Sequence, residues 1–76
     1  MKQQIVEILS EVRPEFDFNQ DMDFIEAGML DSFDIITLVN TLDEKFGISI
    51  GGVDVLPENF SSVERIENLL KKNGVK

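Results

Sequence analysis

Apolar residues recur at helical spacing in the first segment of the chain. Between residues 2 and 12 they follow the i, i+3, i+4, i+7 pattern of a helix with one buried face. They are Ile5, Ile8, Leu9 and Val12. The residue before a proline is pushed out of the helical region, so Pro14 ends the segment. The pattern predicts a first helix over Lys2 to Val12.

The next segment, residues 15–30, is apolar but has no sustained period. Its large apolar residues are Phe16, Phe18, Met22, Phe24, Ile25 and Leu30. They are too many for a flexible linker, so we predict a long loop packed against the helices, with a short turn near Asp21 to Glu26. Loops of this length without elements of their own are uncommon and are usually functional.

A second helix is predicted to begin at Phe33, because the apolar stripe that follows fits within about 100° of arc. The stripe is Ile35, Leu38, Val39, Leu42 and Phe46. Asp31 or Ser32 can cap the helix at its N-terminus, and Gly47 ends it. Phe33 and Ile36 project away from the stripe, and we expect them to be exposed.

The last third of the chain begins with a glycine-rich connection. Its alternating apolar residues make a weak case for a strand, which we reject because a single strand has no partner in an otherwise helical chain. We expect a short third helix around Val53 to Glu58, with Ile48, Ile50, Val53, Val55 and Leu56 filling the bundle. Ser61 and Glu64 have capping-box spacing, so the last helix is predicted to open at Ser61 and to stop at Gly74. The fold class is therefore all-α.

The candidate chemistry is a hydroxyl without a base. Ser32 stands at the predicted start of the second helix, yet the chain contains no His and no Cys. A serine nucleophile needs a base within hydrogen-bond reach, so Ser32 is a residue to be acted upon. The 76 residues make one domain, residues 1–76, with room for one small core but not for a core plus an enclosed cleft. These observations favour a binding or carrier protein and not an enzyme.

The charge restricts the partners. The formal net charge is −8, and the segment from residue 14 to residue 44 has nine acidic residues and no basic one. Phosphate binding needs Lys and Arg, so nucleic acid and anionic membrane surfaces are disfavoured. The first residues lack a continuous apolar run, which argues against a signal peptide or a membrane span. We expect a soluble cytoplasmic monomer that is steered toward partners with basic surfaces.

Two stretches carry a resemblance to a known family. They are DFIEAGMLDSFDIITLVNTLDEKFGISI and PENFSSVERIENLL, and within them the central motif is Gly28, Met29, Leu30, Asp31, Ser32 and Phe33. Over nearly its whole length the chain resembles a freestanding acyl or peptidyl carrier protein of the phosphopantetheine-binding family. The resemblance implies a bundle of three main helices and one short helix, with a long structured loop after the first.

The resemblance also implies a function and a set of site residues. Ser32 would receive 4′-phosphopantetheine through a phosphodiester, with Asp31 as its motif neighbour, and the terminal thiol would carry cargo as a thioester. The implied partners are a phosphopantetheinyl transferase, a ligase that loads an acyl or aminoacyl group, and downstream synthases with basic docking surfaces. Candidate docking residues are Phe33, Asp34, Ile36, Thr37, Asn40, Asp43 and Glu44. No metal site is implied.

Departures from the commonest fatty-acid carrier pattern narrow the expected pathway. Those carriers usually have Leu after the serine and further acidic and Met positions on the exposed flank, where this chain has Phe33, Thr37 and Asn40. The departures favour a dedicated carrier with an aminoacyl, specialised acyl or D-alanyl-like cargo. The pathway itself, whether fatty-acid, polyketide, nonribosomal peptide or D-alanyl-like, stays open at this point.

Two other classes of function compete with the carrier. Asp17, Asn19, Asp21 and Asp23 occupy positions 1, 3, 5 and 7 of an EF-hand-like loop. However, Met22 stands where the sharp turn needs Gly, and Gly28 stands where a bidentate Glu is needed. The other alternative is an unmodified acidic helical interaction module in which Ser32 is only a helix cap.

Overall fold

The first helix, α1, spans Lys2–Val12 as its apolar spacing predicts. The computed structural model describes residues 1–20 and 22–75. Ile5, Ile8 and Leu9 are the buried residues of α1. Arg13 has left the helical conformation, with φ −135° and ψ 80°, although its N–H still donates to the Leu9 carbonyl. Pro14 therefore ends the helix at the predicted residue.

Helix α2 spans Ser32–Phe46 and α3 spans Val63–Lys72. Helix α1 packs against both of them. Gly47 ends α2 in the left-handed conformation with φ 64°, as predicted. In the predicted stripe of α2, Ile35, Leu38 and Leu42 are buried, while Val39 and Phe46 pack partly buried against the core.

The long loop between α1 and α2 packs onto the helices through its aromatic residues. Phe18 and Phe24 are each 1% exposed, and their rings meet edge to face with centroids 5.0 Å apart. Phe16 adds a second edge-to-face pair with Phe18. Met22 was predicted to pack as well, but it is 38% exposed. The buried apolar residues of this loop are Phe18, Phe24, Met29 and Leu30.

The short third helix predicted around residues 53–58 is wrong as a single element. Two 3₁₀ helices take its place, Gly52–Asp54 and Pro57–Phe60. Leu56 separates them in an extended conformation, with φ −121° and ψ 141°, because the residue before a proline is kept out of the helical region. Pro57 then starts the second 3₁₀ helix, a position that suits its fixed φ.

The apolar residues of this connection were predicted to fill the bundle, and only some of them do. Ile50 is buried, and Ile48 and Val55 are partly buried. Val53 is 85% exposed and Leu56 42% exposed. Phe60, at the end of the second 3₁₀ helix, is fully buried and fills part of the core in place of Val53 and Leu56. This 3₁₀ helix packs against α2 and α3.

Helix α3 begins later than predicted. Ser62, not Ser61, is its N-cap, and the Ser62 hydroxyl accepts a hydrogen bond from the Arg65 N–H at 3.1 Å. Ser61 continues the helical conformation of the preceding 3₁₀ helix, and its hydroxyl donates to the Glu58 carbonyl. The helix ends close to the predicted stop, at Lys72, with Gly74 at φ 91°.

The described residues form an all-helical bundle and include no β-strand, as predicted. The core draws on all three α-helices, the long loop and the second 3₁₀ helix. In the parts of the chain covered by residues 1–20 and 22–75, no helix is long and apolar enough to cross a membrane.

Candidate functional site at the start of helix α2

A tight turn in the long loop sets the direction in which the chain approaches α2. The Asp23 carboxylate accepts hydrogen bonds from the Ile25 and Glu26 N–H groups at 2.9 and 3.0 Å, and so opens the turn. Gly28 closes it with φ 73°, and its N–H donates to the Ile25 carbonyl. A left-handed residue is strained unless it is glycine, so Gly28 suits this position. The turn predicted near Asp21 to Glu26 thus exists over the residues that are described; Asp21 lies outside them.

Phe24 ties this turn to the start of α3. Its N–H donates to the Ser61 carbonyl at 2.8 Å, and its carbonyl accepts from the N–H groups of Met29 and Leu30 at 2.9 and 3.2 Å. Met29 and Leu30 are buried, whereas Asp31 and Ser32 directly after them are exposed. The chain is therefore anchored immediately before Ser32, and the serine itself faces solvent.

Asp31 is the N-cap of α2, in a reciprocal capping box with Asp34. The Asp31 carboxylate accepts from the Asp34 N–H at 3.0 Å, and the Asp34 carboxylate accepts from the Asp31 N–H at 3.1 Å. The sequence left Asp31 and Ser32 open as caps, and the structure selects Asp31. Ser32 is the first helical residue, so its hydroxyl has no capping role at the positive end of the helix dipole.

Arg13 joins the end of α1 to this capping box, a contact that sequence reasoning missed. Its guanidinium donates from Nε to the Asp34 carboxylate at 2.9 Å and from its terminal nitrogens to Glu15 at 3.3 Å and Asp31 at 3.4 Å. We call Glu15, Asp31 and Asp34 the carboxylate cluster. The available signal was that Arg13 is the only basic residue between residues 3 and 44.

These contacts shift two pKa values. The hydrogen bond from the Asp34 N–H, followed by that from Phe33 and the charge of Arg13, holds the pKa of Asp31 below its ordinary value. The hydrogen bonds from Arg13 to Asp34 and Glu15 raise the pKa of the guanidinium. The folded state thus favours an ionised Asp31 next to Ser32.

One side of α2 is exposed over most of its length. Phe33 is 79% exposed and Ile36 56%, as their offset from the apolar stripe predicts. Thr37, Asn40 and Glu44 are exposed as well, and at about 100° per residue these five residues and Ser32 span an arc of about 140°. We call Phe33, Ile36, Thr37, Asn40 and Glu44 the outer face of α2.

Two threonine hydroxyls on this helix are engaged by its own backbone. The Thr37 hydroxyl donates to the Phe33 carbonyl at 3.2 Å, and the Thr41 hydroxyl donates to the Thr37 carbonyl at 2.9 Å. Such bonds to the carbonyl four residues earlier are common for threonine within helices.

Two of the predicted docking residues have internal hydrogen bonds instead of fully exposed side chains. Asp34 is 9% exposed and is held by the capping box and Arg13. Asp43 is half-buried, and its carboxylate accepts from the Ile50 N–H at 3.0 Å, which fixes the connection after α2. The structure therefore places neither predicted docking carboxylate fully at the surface.

The EF-hand-like alternative falls partly on Asp21, which lies outside the described residues. Asp17 accepts from the Asn19 N–H at 2.9 Å, and this bond, with a further bond from Asn19, lowers the pKa of Asp17. Asp23 is engaged in its own turn, as described above. Among residues 1–20 and 22–75, no three acidic, His or Cys side chains are grouped so that they could hold a metal ion.

Two surface cavities lie away from Ser32. The larger, about 380 Å³, is lined by residues from the start of α1, the long loop and the start of α3, including Val6, Phe18 and Val63. The smaller, about 240 Å³, lies between α1 and the end of α2. Neither lining includes Ser32 or a residue of the outer face of α2.

Comparison with known proteins points to one family. The profile of the phosphopantetheine attachment site matches residues 3–70. A D-alanyl carrier protein of Bacillus velezensis is 30% identical over 71 residues, which is 91% of this chain and 91% of that protein. One from Lactobacillus delbrueckii subsp. bulgaricus is 29% identical over 73 residues, which is 95% of this chain and 91% of the relative. No solved structure matches the chain.

Proposed function

Because the chain belongs to the phosphopantetheine attachment family, we propose that Ser32 is its attachment residue and that its cargo is an aminoacyl group. The protein is a carrier without catalytic activity of its own, and its cofactor is covalently bound 4′-phosphopantetheine. As a carrier it interacts with a phosphopantetheinyl transferase and with loading ligases. The cofactor's terminal thiol holds the cargo as a thioester.

The position of the Ser32 hydroxyl is the observation that supports this proposal. Asp31 caps α2, so the hydroxyl of Ser32 is spared from capping and stands exposed at the first helical position. The positive end of the helix dipole favours a negatively charged phosphodiester there. Gly28 and Phe24 anchor the chain just before it, so an arm attached at Ser32 would start from a fixed point.

The chemistry of attachment needs a partner enzyme. The Ser32 oxygen would form a bond to the phosphorus that bears the pantetheine of coenzyme A, and the bond from that phosphorus to the bridging oxygen would break. Adenosine 3′,5′-bisphosphate would leave, and a base would take the hydroxyl proton. No His or Cys in the chain can take this proton. The transferase therefore supplies the base, and the carrier supplies an accessible hydroxyl.

The outer face of α2 is our proposed docking surface. It lies beside Ser32 and combines two exposed apolar side chains, Phe33 and Ile36, with the carboxylate of Glu44. A net charge of −8 steers the protein toward basic partner surfaces, because electrostatic complementarity raises the rate of association more than the affinity. Asp34 and Asp43 contribute to this field, but their internal hydrogen bonds leave them outside the proposed contact set.

The cargo proposal has support from two directions. Both relatives compared above are named D-alanyl carrier proteins, and each is aligned over more than nine-tenths of its own length. Ser32 does not line either of the two surface cavities described above. A small aminoacyl group that stays in solvent at the end of its arm requires no cavity next to the attachment point.

Mass spectrometry tests both steps. Incubation with a phosphopantetheinyl transferase and coenzyme A should add one phosphopantetheine to the wild type and to Ser49→Ala, an exposed serine control, but not to Ser32→Ala. A D-alanine-activating ligase with ATP should then add one alanyl group that hydroxylamine removes. A wild type that several transferases leave unmodified contradicts the attachment proposal. A modified protein that accepts fatty acyl groups but not D-alanine contradicts the cargo proposal.

A further inference from the structure

Among residues 1–20 and 22–75, Arg13 is the only basic residue that pairs with Asp31 or Asp34, the carboxylates closest in sequence to the proposed attachment point. It is the only basic residue between residues 3 and 44, and it lies at the C-terminal end of α1. Its guanidinium contacts Glu15 two residues away and also reaches Asp31 and Asp34 beyond the long loop. The shortest contact, 2.9 Å from Nε, reaches Asp34, whose side chain is 12% exposed.

Arg13 donates to the same Asp34 oxygen, Oδ2, that accepts the Asp31 N–H in the capping box. The two hydrogen bonds of the box join Asp31 and Asp34 to each other through their own carboxylates and N–H groups. Arg13 adds charge compensation, because a largely buried carboxylate is costly without a partner and two further carboxylates lie against the same guanidinium. The start of α2 thus holds the carboxylates of Asp31 and Asp34 next to Ser32, and the one guanidinium that compensates them is shared with Glu15.

Modification changes this balance. A phosphodiester on Ser32 adds one more negative charge next to Asp31, and charges this close are not fully screened at physiological salt. The dipole of α2 and the guanidinium of Arg13 are the two favourable terms at this end of the helix. Of these, only Arg13 can be removed by substitution without removing the helix.

We propose that Arg13 is a positioning residue for the modified form: it offsets the charge added at Ser32 and so keeps the start of α2 folded around the attached arm. This inference rests on the proposed attachment at Ser32. The guanidinium needs no contact with the arm itself, since it acts through the carboxylates that flank Ser32.

A stability comparison between unmodified and modified protein tests this role. The urea midpoint is measured for both forms of the wild type, Arg13→Gln, Arg13→Lys and Arg65→Gln. Arg65→Gln is the matched control, because it removes the same charge from an exposed position on α3. The modified forms are prepared with a transferase and coenzyme A and are checked by mass.

We expect Arg13→Gln to lower the midpoint of the modified form more than that of the unmodified form. Arg13→Lys should show a smaller difference, since it keeps the charge and loses only the fork of donors. Arg65→Gln should shift both forms equally. A purely structural Arg13 would lower both forms by the same amount, and that result overturns the inference while leaving attachment at Ser32 intact.

A measurement on the wild type alone covers the case in which Arg13→Gln does not fold. The exchange of the Arg13 Nε proton with solvent, followed by NMR, should slow by about threefold on modification, because the added charge holds the guanidinium more tightly. Unchanged exchange overturns the inference. A wild type that cannot be modified at all contradicts the proposed attachment instead, so the two failures are distinguishable.

Discussion

At the scale of single residues, Asp31 has two roles. Its carboxylate caps α2 through the Asp34 N–H, and the same side chain contacts Arg13 from the end of α1. Both interactions favour the ionised carboxylate, which is why the pKa of Asp31 lies below its ordinary value. A capping residue with a lowered pKa couples the start of α2 to pH.

Acid should therefore weaken the contribution of Asp31 to stability. The pKa of Asp31 is about 3.8 in a free chain and lower in the folded protein, so its stabilising effect is complete above that value and is lost as the pH falls through the folded pKa. Asp31→Asn keeps a good capping residue but does not titrate. We expect the urea midpoint of the wild type to exceed that of Asp31→Asn near neutral pH and the difference to shrink below about pH 4.

The comparison between these two proteins removes the contribution of other acids. The pKa of Asp17 is also lowered, and its loss of stabilisation in acid is common to both proteins. A difference that stays constant down to the acid unfolding region would show that the charge of Asp31 does not stabilise the fold.

Arg13 shows which site residues the sequence could not predict. Gly28, Asp31 and Ser32 lie within five residues of the chain. Because caps and turns depend on neighbouring residues, the sequence was enough to predict these three as site residues. Arg13 lies 18 residues from Asp31 and 21 from Asp34, and its contacts depend on how the long loop folds back. Local patterns do not encode such a distance, so the burial of Asp34 was missed as well.

At the scale of elements, the start of α3 depends on which of two adjacent serines caps it. The capping-box spacing of Ser61 and Glu64 predicted Ser61. The Ser61 carbonyl, however, accepts from the Phe24 N–H, and the Ser61 hydroxyl donates to Glu58, so this residue belongs to the preceding 3₁₀ helix. The cap falls to Ser62.

Removing the Ser62 hydroxyl should destabilise the protein measurably. Ser62→Ala leaves the Arg65 N–H without its acceptor, at a cost of about 1 kcal/mol in the free energy of unfolding. Ser49→Ala, at an exposed serine outside the helices, should change it by less than about 0.5 kcal/mol. Urea denaturation measures both, and equal values for the two variants would contradict the assignment of Ser62 as the cap.

The three main helices were predictable because their apolar spacing, Pro14 and Gly47 act within a few residues. Helices α1 and α2 agree with the predicted bounds to within one residue. The connection after α2 was less predictable, because its alternating apolar residues do not reveal which of them face inward. Leu56 interrupts the helical conformation because Pro57 follows it. The sequence contains this proline, but we predicted one continuous helix across it.

At the scale of the whole molecule, one small core carries the stability. Phe60 is fully buried and contributes from the second 3₁₀ helix, which packs against α2 and α3. Phe33 is the same residue type with 79% exposure. The buried ring of Phe60 can therefore stabilise the fold, whereas the exposed ring of Phe33 is available to contact a partner.

Alanine substitution at Phe60 should reduce stability, whereas alanine substitution at Phe33 should reduce the rate of loading. Phe60→Ala should lower the free energy of unfolding by about 3–5 kcal/mol, a large share of what a small domain has. Phe33→Ala should change it by less than about 0.5 kcal/mol yet slow the loading of the modified protein by a partner ligase. Urea denaturation and loading followed by mass provide the two measurements. Normal loading of Phe33→Ala would remove Phe33 from the proposed docking surface.

The internal bonds of the threonines on α2 determine what a partner must bring. Because the Thr37 hydroxyl proton is already given to the Phe33 carbonyl, Thr37 can offer an incoming surface only a lone pair and a methyl group. Glu44 likewise offers only lone pairs when ionised. Among the polar side chains of the outer face only the Asn40 amide still has N–H groups to donate. Lys and Arg side chains, which can only donate, therefore find acceptors on Thr37, Asn40 and Glu44 and also match the face in charge.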